Sequence, residues 1–172
     1  MMGAYSLNKA LTKACVVVVL FTACSSSKEN KESSESAPEV KFADAGTSKI
    51  FKNYLALKNA LLKSDAQATK VNAALLQTSL AEAKENGVAL LAEKIVNGKD
   101  IQEQRVQLDT LTKATEKIVR AAKLQSGVVY KQFCPMANEG KGGYWLAVEA
   151  DIKNPYYGAE MLECGEVTEE IK

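Results

Sequence analysis

Two short stretches near the end of the chain concentrate its chemically soft side chains: Cys134-Pro135-Met136 and Met161-Leu162-Glu163-Cys164-Gly165. Each pairs a thiol with a thioether. Thiolate and thioether sulfurs select Cu(I), Ag(I) and related soft ions over hard ones. If Cys134 and Met136 lie in a strand, they project to one face, because side chains alternate with period two. A turn across Met161–Cys164 brings the second pair together. A hairpin setting both motifs side by side would then form a four-sulfur pocket of Cys134, Met136, Met161 and Cys164, with Pro135 stiffening one side and Gly165 permitting close backbone approach. The alternative use of the same residues is a Cys134–Cys164 disulfide. It would close a loop of about 30 residues and stabilise the fold by roughly 3–4 kcal/mol on the loop-entropy account. The two states are also compatible as redox alternatives of one site.

Two further cysteines have a different context. Lys9 and Lys13 precede an apolar run, Ala14–Ala23, that ends Leu20-Phe21-Thr22-Ala23-Cys24. This is the pattern of a bacterial lipoprotein signal: a basic start, a short apolar core and small residues before a cysteine. The run falls short of the roughly 20 apolar residues that span a bilayer as a helix. Residues 1–23 are therefore read as a signal peptide and Cys24 as the lipid attachment site and mature N-terminus. Cys15 leaves with the signal, so Cys134 and Cys164 remain as an exported pair. A mature lipoprotein carries more than one acyl chain, which gives stable membrane attachment. The expected location is the cell envelope, on the outer membrane facing the periplasm or at the cell surface.

Composition narrows the remaining options. The chain has no histidine, which removes Ser-His-Asp and Cys-His catalysis and every His-ligated metal site. No nucleophile–base pair can be named, and the chain is not read as an enzyme. Of 22 basic side chains two leave with the signal, so 20 face 21 acidic ones. A near-neutral chain without a basic patch has no electrostatic footprint for nucleic acid. The acids Glu139, Glu149, Asp151, Glu160, Glu163 and Glu166 lack EF-hand spacing and read as a solvated face.

The elements that must position the sulfurs follow from periodicity. Residues 24–47 comprise the lipidated cysteine and a Ser/Glu/Lys/Asn-rich tether, too polar to offset its ordering entropy. Its charges read as a solvated linker, with a sorting signal as the alternative. Residues 48–172 form a single domain. Ile50, Tyr54, Leu57 and Leu61 mark the inner face of a first helix. Ser64 with Gln67 resembles a capping box opening a second helix, with Val71, Leu75 and Thr78 inward and an end near Asn86-Gly87. A short third helix holds Val88, Leu91 and Ile95 and stops at Asn97-Gly98. Asp100 and Glu103 cap a long fourth helix over 101–124, with Ile101, Gln104, Leu108, Leu111, Thr115, Ile118 and Ala122 inward. Short connections give a small up-and-down bundle. Beyond Gly127 the pattern changes to short strands: VVYKQF, Tyr144–Val148 and Met161–Val167, separated by a glycine-rich turn at 138–143 and a loop at 154–158. The fold class is thus mainly α, a bundle of about four helices with a C-terminal cap of short β-strands. In that cap Tyr144, Trp145, Tyr156 and Tyr157 read as core packing, with an aromatic recognition surface as the alternative, and Arg105 as a salt-bridged residue partly buried against it.

Several runs carry a resemblance: Asp100–Arg105, Val129-Tyr130-Lys131-Gln132-Phe133-Cys134-Pro135-Met136-Ala137, Tyr144-Trp145-Leu146, Ile152–Gly158 and Met161–Gly165. Together they resemble a family of exported bacterial domains of unknown function, over about residues 48–168. Members are stand-alone lipoproteins or are fused to periplasmic adaptor subunits of heavy-metal (copper/silver) efflux systems. The resemblance implies an envelope location, a soft-metal ligand set of Cys134, Met136, Met161 and Cys164, and an efflux adaptor as partner. Relatives can carry a histidine or another aromatic just before the CPM run. Phe133 stands there, so a nitrogen ligand is not available.

Overall fold

The computed structural model describes residues 39–172; the expected signal peptide, Cys24 and the first part of the expected tether lie outside the described residues. Five helices form the body: α1 (Ala45–Leu62), α2 (Ala66–Glu82), α3 (Asn86–Asn97), α4 (Ile101–Val106) and α5 (Leu108–Ala121). A pair of short strands, β1 (Lys41–Phe42) and β2 (Leu124–Ser126), brackets them antiparallel. The cap is β3 (Val129–Cys134), β4 (Gly143–Ala147) and β5 (Glu166–Ile171), an antiparallel sheet ordered β4-β3-β5. The expected class, a mainly helical bundle with a C-terminal strand cap, is the one observed. β1 and the first turn of α1 fall within the stretch assigned to the tether.

α1 packs on α2, α2 on α3 and α3 on α5, the neighbour order of an up-and-down bundle. The first helix buries the expected face: Ile50, Tyr54, Leu57 and Leu61 are all at or below 1 % exposed. The second does not. Val71 and Leu75 are about half exposed, Thr78 is exposed, and the inner face is Thr69, Ala73, Leu76, Ser79 and Leu80. Small Ala73 and Ser79 let neighbouring helices approach closely, which the run of apolar residues at 74–76 concealed. Its cap is Asp65, whose carboxylate accepts from the Ala68 N–H at 2.8 Å. Ser64 is unable to serve because α1 ends by placing it left-handed, at φ 56°. Asn86-Gly87 opens α3 rather than closing α2; the chain turns at left-handed Lys84. Asp100 caps α4 as expected, accepting from Gln102 and Glu103, and Glu103 reaches back to the Lys99 N–H. The long fourth helix is broken at Gln107, where a tighter bond to the Gln104 carbonyl interrupts the ladder.

Helices and sheet are joined through the outer edge of β4. Tyr54, fully buried, accepts the Leu146 N–H at 3.0 Å and shares a 2.7 Å hydrogen bond with Thr112. Asp109 accepts the Tyr144 N–H at 3.0 Å. Two helix side chains thus satisfy backbone donors that an open edge would present to solvent or to another strand. On the other side, Arg120 ion-pairs with both Glu116 and Glu169, linking α5 to β5. The third strand is Glu166–Ile171, not Met161–Val167. Met161–Gly165 is loop, because its backbone is committed to a turn (Cys164 N–H to Met161 O, 3.1 Å) and to Asn154 (N–H to Leu162 O, 2.8 Å).

Candidate functional site

β3 is the central strand and ends at Cys134, whose side chain is fully buried. In the ladder with β5, Phe133 stands opposite Glu166. Cys164, two residues before Glu166, therefore arrives at the same end of the sheet. The two Sγ atoms are 3.1 Å apart, and both residues are free thiols. Hydrogen bonding to Cys134, aided by desolvation, holds the Cys164 thiol above its ordinary value. Raising it favours the thiol form of Cys164, so a metal ion or an oxidant that engages this sulfur displaces its proton.

Gly165 makes the approach possible. Its φ is +147°, and a Cβ there would stand 2.7 Å from the Phe133 carbonyl oxygen and 2.9 Å from the Trp145 ring. Glycine alone combines that backbone angle with that clearance.

The thioethers are less committed. The strand stops before Pro135-Met136, so the expectation that Cys134 and Met136 share a strand face does not hold: Met136 lies in the following turn and is 52 % exposed. The Tyr157 hydroxyl donates to the Met136 carbonyl at 2.7 Å, drawing the loop that leads to Met161 against this turn. Met161 is partly buried and closes the turn to Cys164. The structure brings the two thiols into contact, while Met136 and Met161 lie two and three residues from Cys134 and Cys164 along the chain. Among the described residues no cluster of three or more Cys, Asp or Glu side chains is placed to hold a metal ion.

Residues that sequence reasoning passed over hold the second motif in place. Asn154 is fully buried; its amide donates to the Cys164 carbonyl at 2.8 Å, and its side-chain oxygen accepts from the Tyr156 N–H at 2.8 Å. Gln132, also buried, donates to the Glu149 and Ala150 carbonyls, tying the loop after β4 to β3. Arg105 is buried, more fully than expected, and makes no salt bridge among the described residues. Its guanidinium donates to the carbonyls of Pro155 and Leu61 and to Ser64, so it joins the helical body to the loop carrying Asn154. Trp145 and Tyr156 pack in the core, while Tyr144 and Tyr157 are only partly buried. Of the acids, Glu149 departs from a solvated face by pairing with buried Lys58 at 3.0 Å. A cavity of about 430 Å³ lined by Asp109, Lys113, Phe133 and Tyr144 adjoins the lobe and is lined by none of the four sulfur residues.

Fold and site together define a helical-bundle domain whose small antiparallel cap carries a contacting dithiol. Residues 50–127 match the family described as "Protein of unknown function (DUF3347)", so the helical body is similar to a domain of unknown function. That match ends before β3 and does not reach the sulfur motifs. No curated protein and no solved structure matches the chain.

Proposed function

We propose that the chain is a cell-envelope lipoprotein, anchored through Cys24, whose C-terminal lobe captures a soft metal ion, Cu(I) or Ag(I), and serves a heavy-metal efflux adaptor. The observation that carries the metal reading is the 3.1 Å contact between Cys134 and Cys164. Two thiolates converging from separate segments form the core of a soft-ion site. Met161 and Met136, on turns adjoining the two cysteines, are the thioethers available to complete it. Binding requires the reduced pair and releases protons.

The test is a titration of the purified, reduced full chain with Cu(I) against a chromophoric competitor. The wild type is expected to bind one ion, and the Cys134→Ser/Cys164→Ser variant to lose that ion. The Met136→Leu/Met161→Leu variant should bind more weakly. Equal binding by wild type and the double serine variant would remove the metal reading.

The anchor has its own test. Cys24→Ser is expected to move the protein from the membrane to the soluble fraction, and membrane retention of that variant would contradict lipidation at Cys24. No helix among the described residues is long and apolar enough to cross a membrane.

A second reading is a domain stapled by a Cys134–Cys164 disulfide and docking onto an envelope partner. The complete burial of Cys134 favours it, because a disulfide carries no charge into the interior whereas a thiolate does.

A further inference from the structure

The two thiols differ in access. Cys134 sits at the end of the central strand with no exposed surface. Cys164 is partly exposed, in a loop whose neighbours Leu162, Glu163 and Glu166 face solvent. Any molecule larger than a bare ion can therefore approach only one sulfur of the pair. We propose that the lobe exchanges thiols and disulfides with external small thiols, Cys164 being the sulfur attacked and Cys134 the buried sulfur that leaves and returns. The inference rests on the reading of Cys134 and Cys164 as a working dithiol, and not on metal capture.

The exchange balances as follows. In the oxidised lobe an external thiolate attacks Sγ of Cys164. The Cys164–Cys134 bond breaks, and its electron pair leaves on Cys134, which takes a proton. A second external thiolate then attacks the external sulfur of the mixed disulfide and releases Cys164, which is protonated in turn. Two external thiols become one disulfide, and the protein disulfide becomes two thiols. In reverse, the Cys164 thiolate opens an external disulfide. Cys134 then attacks Cys164 Sγ across the 3.1 Å gap and expels the remaining external thiol. Asn154, bonded to the Cys164 carbonyl, keeps that sulfur within range after the mixed disulfide forms. Exchange at Cys164 would also set how much of the lobe is in the reduced form that thiolate ligation needs.

The experiment treats the reduced full chain with glutathione disulfide and locates adducts by peptide mass. In the folded Cys134→Ser variant glutathione should attach to Cys164. In folded Cys164→Ser, attachment to Cys134 should be at least about tenfold slower, because reaction follows exposure. In urea the two rates should converge. The wild type should end as the intramolecular disulfide, with glutathione released. Equal labelling of the two folded variants, or a mixed disulfide that persists in the wild type, would overturn the proposal. If a serine variant loses its fold, substoichiometric alkylation of the wild type answers the same question: Cys164 should be modified first, and first modification at Cys134 would overturn it. Loss of Cu(I) binding with this order of reaction intact would refute metal capture alone. Failure of both would refute the dithiol itself.

Discussion

Replacing Glu149 with alanine is expected to destabilise the domain by about 3–5 kcal/mol, the range for a buried ion pair that loses one partner. The cause lies in the asymmetry of the pair. Lys58, on α1, is 1 % exposed, while the Glu149 side chain is 23 % exposed. Removing the carboxylate leaves the 1 %-exposed ammonium group without the counter-charge that stood 3.0 Å away. Removing the ammonium in Lys58→Met leaves a carboxylate that can still be hydrated, so that variant should lose distinctly less. The double variant Lys58→Met/Glu149→Leu should recover much of the loss, since an apolar pair avoids both desolvation costs. Denaturant midpoints at neutral pH test this, and equal losses in the two single variants would defeat the asymmetry argument. The pH dependence has a definite sign. Burial pushes Glu149 upward, but the charge and hydrogen bond of Lys58 outweigh it and hold the carboxyl below its ordinary 4.5. Its stabilising contribution is thus present above the unfolded value and is lost as pH falls through the lower folded one. Lys58 is held below its ordinary 10.5, chiefly by burial, with Glu149 opposing. Its desolvation cost is relieved as pH rises toward that value, so stability should climb on the alkaline side, more steeply in Glu149→Ala.

Where one apolar stripe existed, as in α1, the sequence pointed to the buried face unambiguously. In α2, Val71/Leu75 and Leu76/Leu80 form two competing stripes, and periodicity had no means to choose. The choice came from Ala73 and Ser79, small enough for close helix contact. Caps were legible where one candidate stood alone, as at Asp100, and illegible where Ser64 and Asp65 competed. The third strand is expected at Met161–Val167 and lies instead at Glu166–Ile171, a stretch without apolar alternation to mark it. It is an exposed edge strand held by its ladder to β3 and by the Arg120–Glu169 pair, not by burial. The thiol pair was legible from residue type, and its convergence follows from strand register that no local pattern encodes. Pro135 closing β3 took Met136 out of the strand. Asn154 and Gln132 lie within runs that carry the resemblance, but nothing in their residue type marks a role; their importance comes from being fully buried amides in reach of loop carbonyls.

Oxidising the Cys134–Cys164 pair should stabilise the domain by roughly 3–4 kcal/mol, through the lower entropy of an unfolded chain closed over some 30 residues. The native state needs little adjustment to accept the bond. The sulfurs already touch, the Asn154 hydrogen bonds hold the Cys164 backbone, and Gly165 removes the clash that would keep the segments apart. The closed loop contains β4 and the whole segment from Val148 to Glu163, whose own regular structure is a single 3₁₀ turn at Gly158–Glu160. The cross-link therefore acts on the part of the domain least able to hold itself. Denaturant midpoints of the oxidised and reduced wild type measure the effect directly. Cys164→Ser supplies a reference that cannot be bridged and leaves the buried Cys134 position intact; oxidant should not move its midpoint. If oxidised and reduced wild type unfold together, the bond does not act as a staple.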